Sequence, residues 1–338
     1  MSRSVVAAMT AYTLELREAE VKLNQNESPF DVPRELKERA LAIAAERPWN
    51  IYPEFESSAL RTAIAKANGF AAENILAGNG SNELLAASIA TFVGPGTPVV
   101  LPKPTFALYE KLVTIAGGSV IPIAIDPAIG VLPLDAMLAA LKGLDDAVVI
   151  VCSPNNPTGG VLPAGGIDAL LATGATVLFD RAYGDFARDS QPALHDRLVT
   201  LSTFSKAWGL AALRLGWLAT TAATAREIRK VKLPYSLNII SESVAIAALE
   251  NRAYRDHNVE NAVAERARVW DAMRDIDGVT PFPTQANFIL FDVREPKRVF
   301  EELCARGVLI REYANALRVS IGTPEENDRF LDALKEIA

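Results

Sequence analysis

A-V-V-I-V-C-S-P-N-N-P-T-G, residues 147–159, joins an apolar run to a polar loop. A short Val/Ile run that stops abruptly at prolines and asparagines reads as a buried strand ending at the edge of a sheet. The same kind of run recurs along the chain: I-L-A-G-N-G (75–80), P-V-V-L (98–101), S-V-I-P-I (119–123), T-V-L-F-D (176–180) and L-V-T-L-S (198–202). Between them lie helix-like segments. S-N-E-L-L-A-A-S-I-A-T-F-V (81–93) has Ser81 as its expected N-cap, and Phe106 to Ala116 closes at Gly117-Gly118. Apolar strands alternating with helices predict a mostly parallel sheet covered on both faces. Such sheets bind ligands beyond the carboxyl ends of their strands, which is where S-P-N-N-P-T-G (153–159) stands.

The last third reads differently. A long amphipathic helix over about 253–276 precedes N-F-I-L-F-D-V (287–293), G-V-L-I-R (307–311) and L-R-V-S-I-G (317–322). Thr323-Pro324-Glu325-Glu326 is a capping box with Pro at the first helical position, and opens a last helix. The expected organisation is a large α/β unit over 46–245 and a small α+β unit over 246–338, with residues 1–45 packing against the small unit.

Half of the 338 residues are hydrophobic, enough for a sizeable core, and the net charge of −7 argues against a general nucleic-acid binder. Cys152 and Cys304 are the only cysteines and His195 and His257 the only histidines. Neither a disulfide framework nor a His/Cys metal site is expected. The N-terminal apolar stretch is too short for a signal h-region or a membrane span, so a cytoplasmic, soluble protein with no membrane partner is expected.

Four stretches carry chemistry. G-N-G-S-N (78–82) places a glycine turn at a helix N-terminus, a suitable phosphate site, although an ordinary strand-to-helix turn looks the same. In F-D-R-A-Y (179–183) Asp180 closes an apolar strand. It needs a cationic partner if buried, and none if it is a solvated loop residue. The run L-V-T-L-S-T-F-S-K-A-W-G-L-A-A-L-R-L-G-W-L-A-T-T-A-A-T-A (198–225) holds only two charges, Lys206 and Arg214. Snorkelling is the usual account of a lone Lys in such a run. A desolvated lysine amine can instead form a Schiff base, and an arginine can fork onto phosphate oxygens. Together with S-P-N-N-P-T-G, these stretches ask for a phosphate, a cationic ring nitrogen, an aldehyde and a substrate carboxylate. Pyridoxal phosphate has the first three and its amino-acid substrate the fourth.

The ordered set, from V-K-L-N-Q-N-E-S-P (21–29) to L-R-V-S-I-G-T-P-E-E-N (317–327), resembles the fold-type I pyridoxal-phosphate aminotransferases of class I/II, and within them the histidinol-phosphate aminotransferase branch. The resemblance implies a large domain with a mostly parallel seven-stranded sheet and a small α+β domain. It implies Lys206 as the Schiff-base lysine and proton carrier, Asp180 as partner of the pyridine nitrogen, and Tyr183 and Asn156 as contacts of the ring's phenolic oxygen. Phe106 takes the place of the aromatic stacked on the ring. Gly80, Ser81, Asn82, Thr203, Ser205 and Arg214 close around the phosphate. Tyr52 resembles the tyrosine that reaches the phosphate in the neighbouring subunit, which implies a homodimer with a shared site. Arg318 resembles the arginine that grips the substrate carboxylate.

Arg311, in G-V-L-I-R, matches the arginine that helps bind the substrate phosphate in the histidinol-phosphate branch, which would place the protein in histidine synthesis with 2-oxoglutarate as acceptor. The stretch from Arg311 to Arg318 is shorter than in that branch, and short spacings occur in aromatic amino-acid aminotransferases. A third reading is a decarboxylase of the threonine-phosphate type. Regulators that sense the cofactor carry an N-terminal DNA-binding domain, for which the residues before the first motif leave little room. Arg181 stands where the branch usually has an acidic residue.

Overall fold

The computed structural model describes residues 2–11 and 17–338. Thirteen strands form among them. β1 is Val21–Lys22, β2 Ile75–Asn79, β3 Pro98–Lys103, β4 Ser119–Ala124, β5 Val148–Cys152, β6 Thr176–Asp180, β7 Leu198–Thr203 and β8 Leu215–Ala219. β9 is Val279–Pro281, β10 Phe288–Val293, β11 Val308–Leu309, β12 Arg311–Tyr313 and β13 Ala316–Ser320. Seven of them make one sheet in the order β2-β8-β7-β6-β5-β3-β4. Only β8 runs antiparallel to its neighbours, β2 and β7; the remaining pairs are parallel. Every residue of β5, β7 and β8 is buried, as expected of strands covered on both faces. β8 was not among the strands expected. The apolar run 198–225 folds into two strands, with Lys206 in the turn between them and Arg214 in left-handed backbone (φ 51) just before β8. A continuous apolar run carries no period that would separate one strand from two.

Ser81 is corrected as an N-cap. It is the first residue of the helix Ser81–Phe92, and the capping position is Gly80, at φ 78 with no side-chain cap. At the other end of the chain, Thr323 and Glu326 form the expected capping box of the helix Pro324–Ile337, with Pro at the start.

The C-terminal sheet has the order β12-β13-β10-β9 and is antiparallel, while β1 pairs in parallel with β11. Val21 and Leu23 therefore pack in one core with Ile289, Phe291, Val319 and Phe330. The expectation that residues 1–45 pack with the C-terminal unit is corrected for the helix Arg34–Ala45. Its Leu36 and Ala40 lie in a core with Ile75, Trp217 and Ala248, beside the large sheet and the helix Ile239–Glu250. The division drawn at 245/246 falls inside that second helix, whose Ala245, Ala247 and Ala248 share the same core.

Candidate active site

Cys152, Asp180 and Thr203 are the last residues of β5, β6 and β7, and all three line a cavity of about 540 Å³ beyond the sheet's carboxyl edge. Of the residues singled out in the sequence, the structure brings to this cavity Ser81, Asn82, Phe106, Asn156, Asp180, Tyr183, Thr203, Ser205, Lys206, Arg214, Arg311 and Arg318. Among the described residues, the charged side chains in its lining are one acid, Asp180, and four bases, Lys206, Arg214, Arg311 and Arg318. Such an excess of cations in a concave site is a field for anions.

One end is an anion cradle. The helix Ser81–Phe92 begins there without a side-chain cap, so its first N–H groups are free to meet a ligand. Gly80 does not line the cavity but makes the cradle possible: a Cβ on it would stand 2.7 Å from an Arg214 guanidinium nitrogen. Likewise a Cβ on Gly216 of β8 would lie 2.2 Å from the Ser81 nitrogen. Arg214 donates to Ser205 Oγ (3.4 Å), and Thr203 Oγ1 donates to Ser205 Oγ (3.0 Å).

Lys206 sits at the middle. Its Nζ donates to the carbonyl of Gln25 at 2.8 Å and lies over the Tyr183 ring. Burial, with Arg318 nearby as a second cause, pulls its pKa down to about 7, so near neutral pH a large share of the amine is unprotonated. Asp180 accepts from neutral donors, Tyr109 Oη at 2.8 Å and the N–H of Ala182 at 2.9 Å. Burial raises its pKa and these two bonds oppose the rise, a pattern that favours a cationic ligand group beside it. The Tyr183 phenol is held protonated by burial and accepts from Asn26 Nδ2 at 3.0 Å.

The far end holds Arg311 and Arg318. They are paired residues of β12 and β13, so their side chains leave the same face of the hairpin. Like charges directly opposite each other destabilise a sheet unless something between them is negative. Arg318 is anchored by Asn156 Oδ1 (2.5 Å), Tyr313 Oη (3.0 Å) and the carbonyl of Asn24 (2.7 Å), yet its buried Nε has no partner. Arg318 lines this cationic cavity, and an arginine so placed is suited to fork onto a carboxylate or phosphate.

Two residues lie elsewhere. Tyr52 is 78 % exposed and stacks on Tyr235 with ring centroids 4.8 Å apart. Arg181 turns away from the cavity. It is buried against Gly184 and bonds to the carboxylate and carbonyl of Asp189, so it ties down the loop after β6. That accounts for a basic residue beside Asp180: it serves the loop, not the ligand. Tyr109, Tyr313 and the segment Asn24–Asn26 were missed by sequence reasoning. Tyr109 could have been found, since it follows Phe106 by about one helical turn and so shares its side of the chain.

The pattern of the family described as aminotransferase class I and II matches residues 18–334, and the chain belongs to that family. It is similar to the histidinol-phosphate aminotransferase of Chlorobaculum parvum, 36% identical over 330 residues that make up 94% of this chain and 93% of that one. It is also similar to that of Aquifex aeolicus, 34% identical over 342 residues covering 98% of this chain and 96% of the other. Among solved structures, the histidinol-phosphate aminotransferase of Sinorhizobium meliloti in complex with pyridoxal-5'-phosphate superposes with a TM-score of 0.87 at 26% identity, covering 99% of this chain and 96% of that one.

Proposed function

We propose that the protein is a pyridoxal-phosphate-dependent aminotransferase that takes its amino group from L-histidinol phosphate and passes it to 2-oxoglutarate. The observation that carries the substrate is the pair Arg311 and Arg318, opposed on one face of β12–β13 and both lining the cavity. Histidinol phosphate bears a phosphate where an amino acid bears its carboxylate, and a dianion balances two guanidinium groups better than a carboxylate does. The same pair then receives a carboxylate of 2-oxoglutarate in the second half of the cycle.

The residues present fit the cofactor. The uncapped helix start at Ser81, with Asn82, Thr203, Ser205 and Arg214, would hold its phosphate. Asp180 would keep a proton on its ring nitrogen, and Phe106 and Ala182 line the space for the ring. Hydrogen bonds to charged groups contribute roughly 1.5–3 kcal/mol each, so several of them retain the cofactor while Lys206 is free to act. Pyridoxal phosphate supplies an electron sink for the pair left behind when the proton departs from the substrate's amine-bearing carbon. Lys206 would hold the cofactor by its aldehyde and would carry the proton of the substrate's amine-bearing carbon as general base and then acid. Its lowered pKa lets it hold and release a proton near neutral pH. Arg318 and Arg311 orient the substrate by its anion, and Asn156 and Tyr313 hold Arg318 in place.

The site is completed by a second copy of the chain. Trp49, Ile51, Tyr52 and Phe55 on one segment, and Leu233 and Tyr235 on another, are large, exposed and apolar. Phe55 and Tyr52 both contact Tyr235. A cluster of this size on one surface favours a protein partner, and Tyr52 would reach the partner's cofactor phosphate. Among the described residues no helix is long and apolar enough to cross a membrane, and we place the enzyme in the cytoplasm.

A single-turnover absorbance measurement tests the reading. The protein loaded with pyridoxal phosphate is mixed separately with L-histidinol phosphate, L-phenylalanine and L-aspartate. Fast conversion of the cofactor to its amine form by histidinol phosphate alone is expected. Faster conversion by phenylalanine would make this an aromatic amino-acid aminotransferase, and release of CO2 with no keto product would make it a decarboxylase.

A further inference from the structure

The hydrogen bonding of Tyr183 is set by a residue outside the large sheet. Asn26 lies in left-handed backbone (φ 54), and every polar atom it has is engaged. Its N–H donates to Ser320 Oγ at 2.8 Å, and its carbonyl accepts from Asn287 Nδ2 at 3.2 Å. Its Oδ1 accepts from Ser320 Oγ at 2.9 Å, and its Nδ2 donates to Tyr183 Oη at 3.0 Å. The Ser320 hydroxyl accepts from the Asn26 N–H and gives its single hydrogen to Oδ1, and Nδ2 faces Tyr183. An amide NH2 group only donates, so Tyr183 Oη must accept and its own hydrogen must point elsewhere. The phenol lines the cavity, and its ring is fixed edge-on by Phe288 at 5.1 Å.

We propose that Asn26 is a positioning residue that commits the Tyr183 proton to the cavity, so that the phenol donates to the ring oxygen of the bound cofactor. The inference rests on the cofactor reading above. Ser320 belongs to β13 and Asn287 immediately precedes β10, both in the C-terminal unit, whereas Tyr183 follows β6 in the large sheet. Asn26 therefore couples the seating of the C-terminal sheet to the direction of one proton at the site. If that sheet shifts, Ser320 releases Oδ1, the amide is free to turn over, and Tyr183 can donate to Asn26 instead of to the ligand. The left-handed conformation is part of the device, since asparagine tolerates it better than other side chains do.

The test is a pH titration of the visible absorbance of the protein loaded with pyridoxal phosphate. Losing the Tyr183 donation should raise the apparent pKa of the bound chromophore, by about one unit for a bond of ordinary strength. Asn26→Ala is expected to raise it in the same direction as Tyr183→Phe, and the double variant should match Tyr183→Phe alone. Asn26→Asp keeps the bond to Ser320 but offers Tyr183 an acceptor, and should raise it at least as far. Should Asn26→Ala fail to fold, Ser320→Ala removes the group that orients the amide and should give a smaller rise in the same direction. A role confined to folding would lower the melting temperature and leave the chromophore pKa where it was. An unmoved pKa in these variants, or shifts that add fully to that of Tyr183→Phe, would overturn the proposal while the cofactor reading stands. A parent protein that takes up no pyridoxal phosphate would sink both.

Discussion

At the scale of single residues, the site turns on groups whose charge is set by burial. Lys206 has its pKa lowered from 10.5 to about 7. Only the free amine attacks an aldehyde, so the rate of pyridoxal phosphate capture should rise about tenfold per pH unit below 7 and level off above it. Stopped-flow absorbance measures this, and a rate still climbing at pH 9 would mean an ordinary lysine. The stability linkage has a definite sign. Between pH 7 and 10.5 the unfolded chain holds a proton that the folded chain has released, so the lysine's contribution makes stability rise with pH in that window. Lys206→Ala should cost roughly 10²–10⁴-fold in single-turnover rate, the usual scale of a lost general base. Tyr109 donates its only hydrogen to Asp180, and both side chains are buried at the wall of the cavity. Tyr109→Phe keeps the shape and deletes the bond, and should lower kcat/KM by roughly ten- to a hundred-fold with a similar melting temperature. Unchanged kcat/KM would free Asp180 of any need for that donor.

At the scale of elements, the antiparallel strand β8 and the hairpin β12–β13 each build one end of the cavity. β8 lies under the start of the helix Ser81–Phe92, with Gly216 in contact with Gly80 and Ser81. A methyl group there collides with backbone, which cannot step aside as a side-chain tip can. Gly216→Ala should destabilise the fold by about 1–3 kcal/mol and weaken cofactor binding, read by absorbance titration. Normal affinity would show that the cradle tolerates the displacement. In the hairpin, Arg311→Ala should raise KM for histidinol phosphate by roughly ten- to a hundred-fold, the scale of a lost charged hydrogen bond, and raise KM for 2-oxoglutarate by less, because a carboxylate carries less charge than a phosphate. Equal losses for both would place Arg311 in the fold of the hairpin rather than in recognition.

At the scale of the whole molecule, the large sheet and the C-terminal sheet each line part of one cavity, which the proposed second copy would complete. The segment that carries Tyr52 is rooted at both ends on one buried carboxylate. Glu242 takes Arg47 at 2.6 Å and the hydroxyl of Ser57. Replacing an exposed apolar side chain at the centre of the proposed interface should separate the subunits. Tyr235→Asp is expected to give a monomer by light scattering, and one that loses pyridoxal phosphate on dilution. A monomer that retains the cofactor as the parent does would remove Tyr52 from the partner's site.

Some of this was written in the chain itself. Strands such as β5 and β6 are apolar runs ending at polar loops, and the Thr323–Glu326 capping box is a local pattern, so both are legible wherever they occur. Lys206 and Arg214 were legible because two charges in an apolar run demand a partner. Other features had no local signal. β8 hides in the same apolar run as β7, and the place of the helix Arg34–Ala45 depends on which distant surface its apolar face meets. Arg181 and Asp180 are adjacent in sequence, yet one serves a loop and the other lines the cavity. The opposition of Arg311 and Arg318, and the closed circuit of Asn26 with Ser320, Asn287 and Tyr183, are facts of pairing across long separations. Sequence alone fixed the chemical groups and the local elements, because those depend on side-chain type and short-range period. Tertiary structure decided which groups share a proton or an anion, because hydrogen bonds and burial depend on positions that only the packed chain defines.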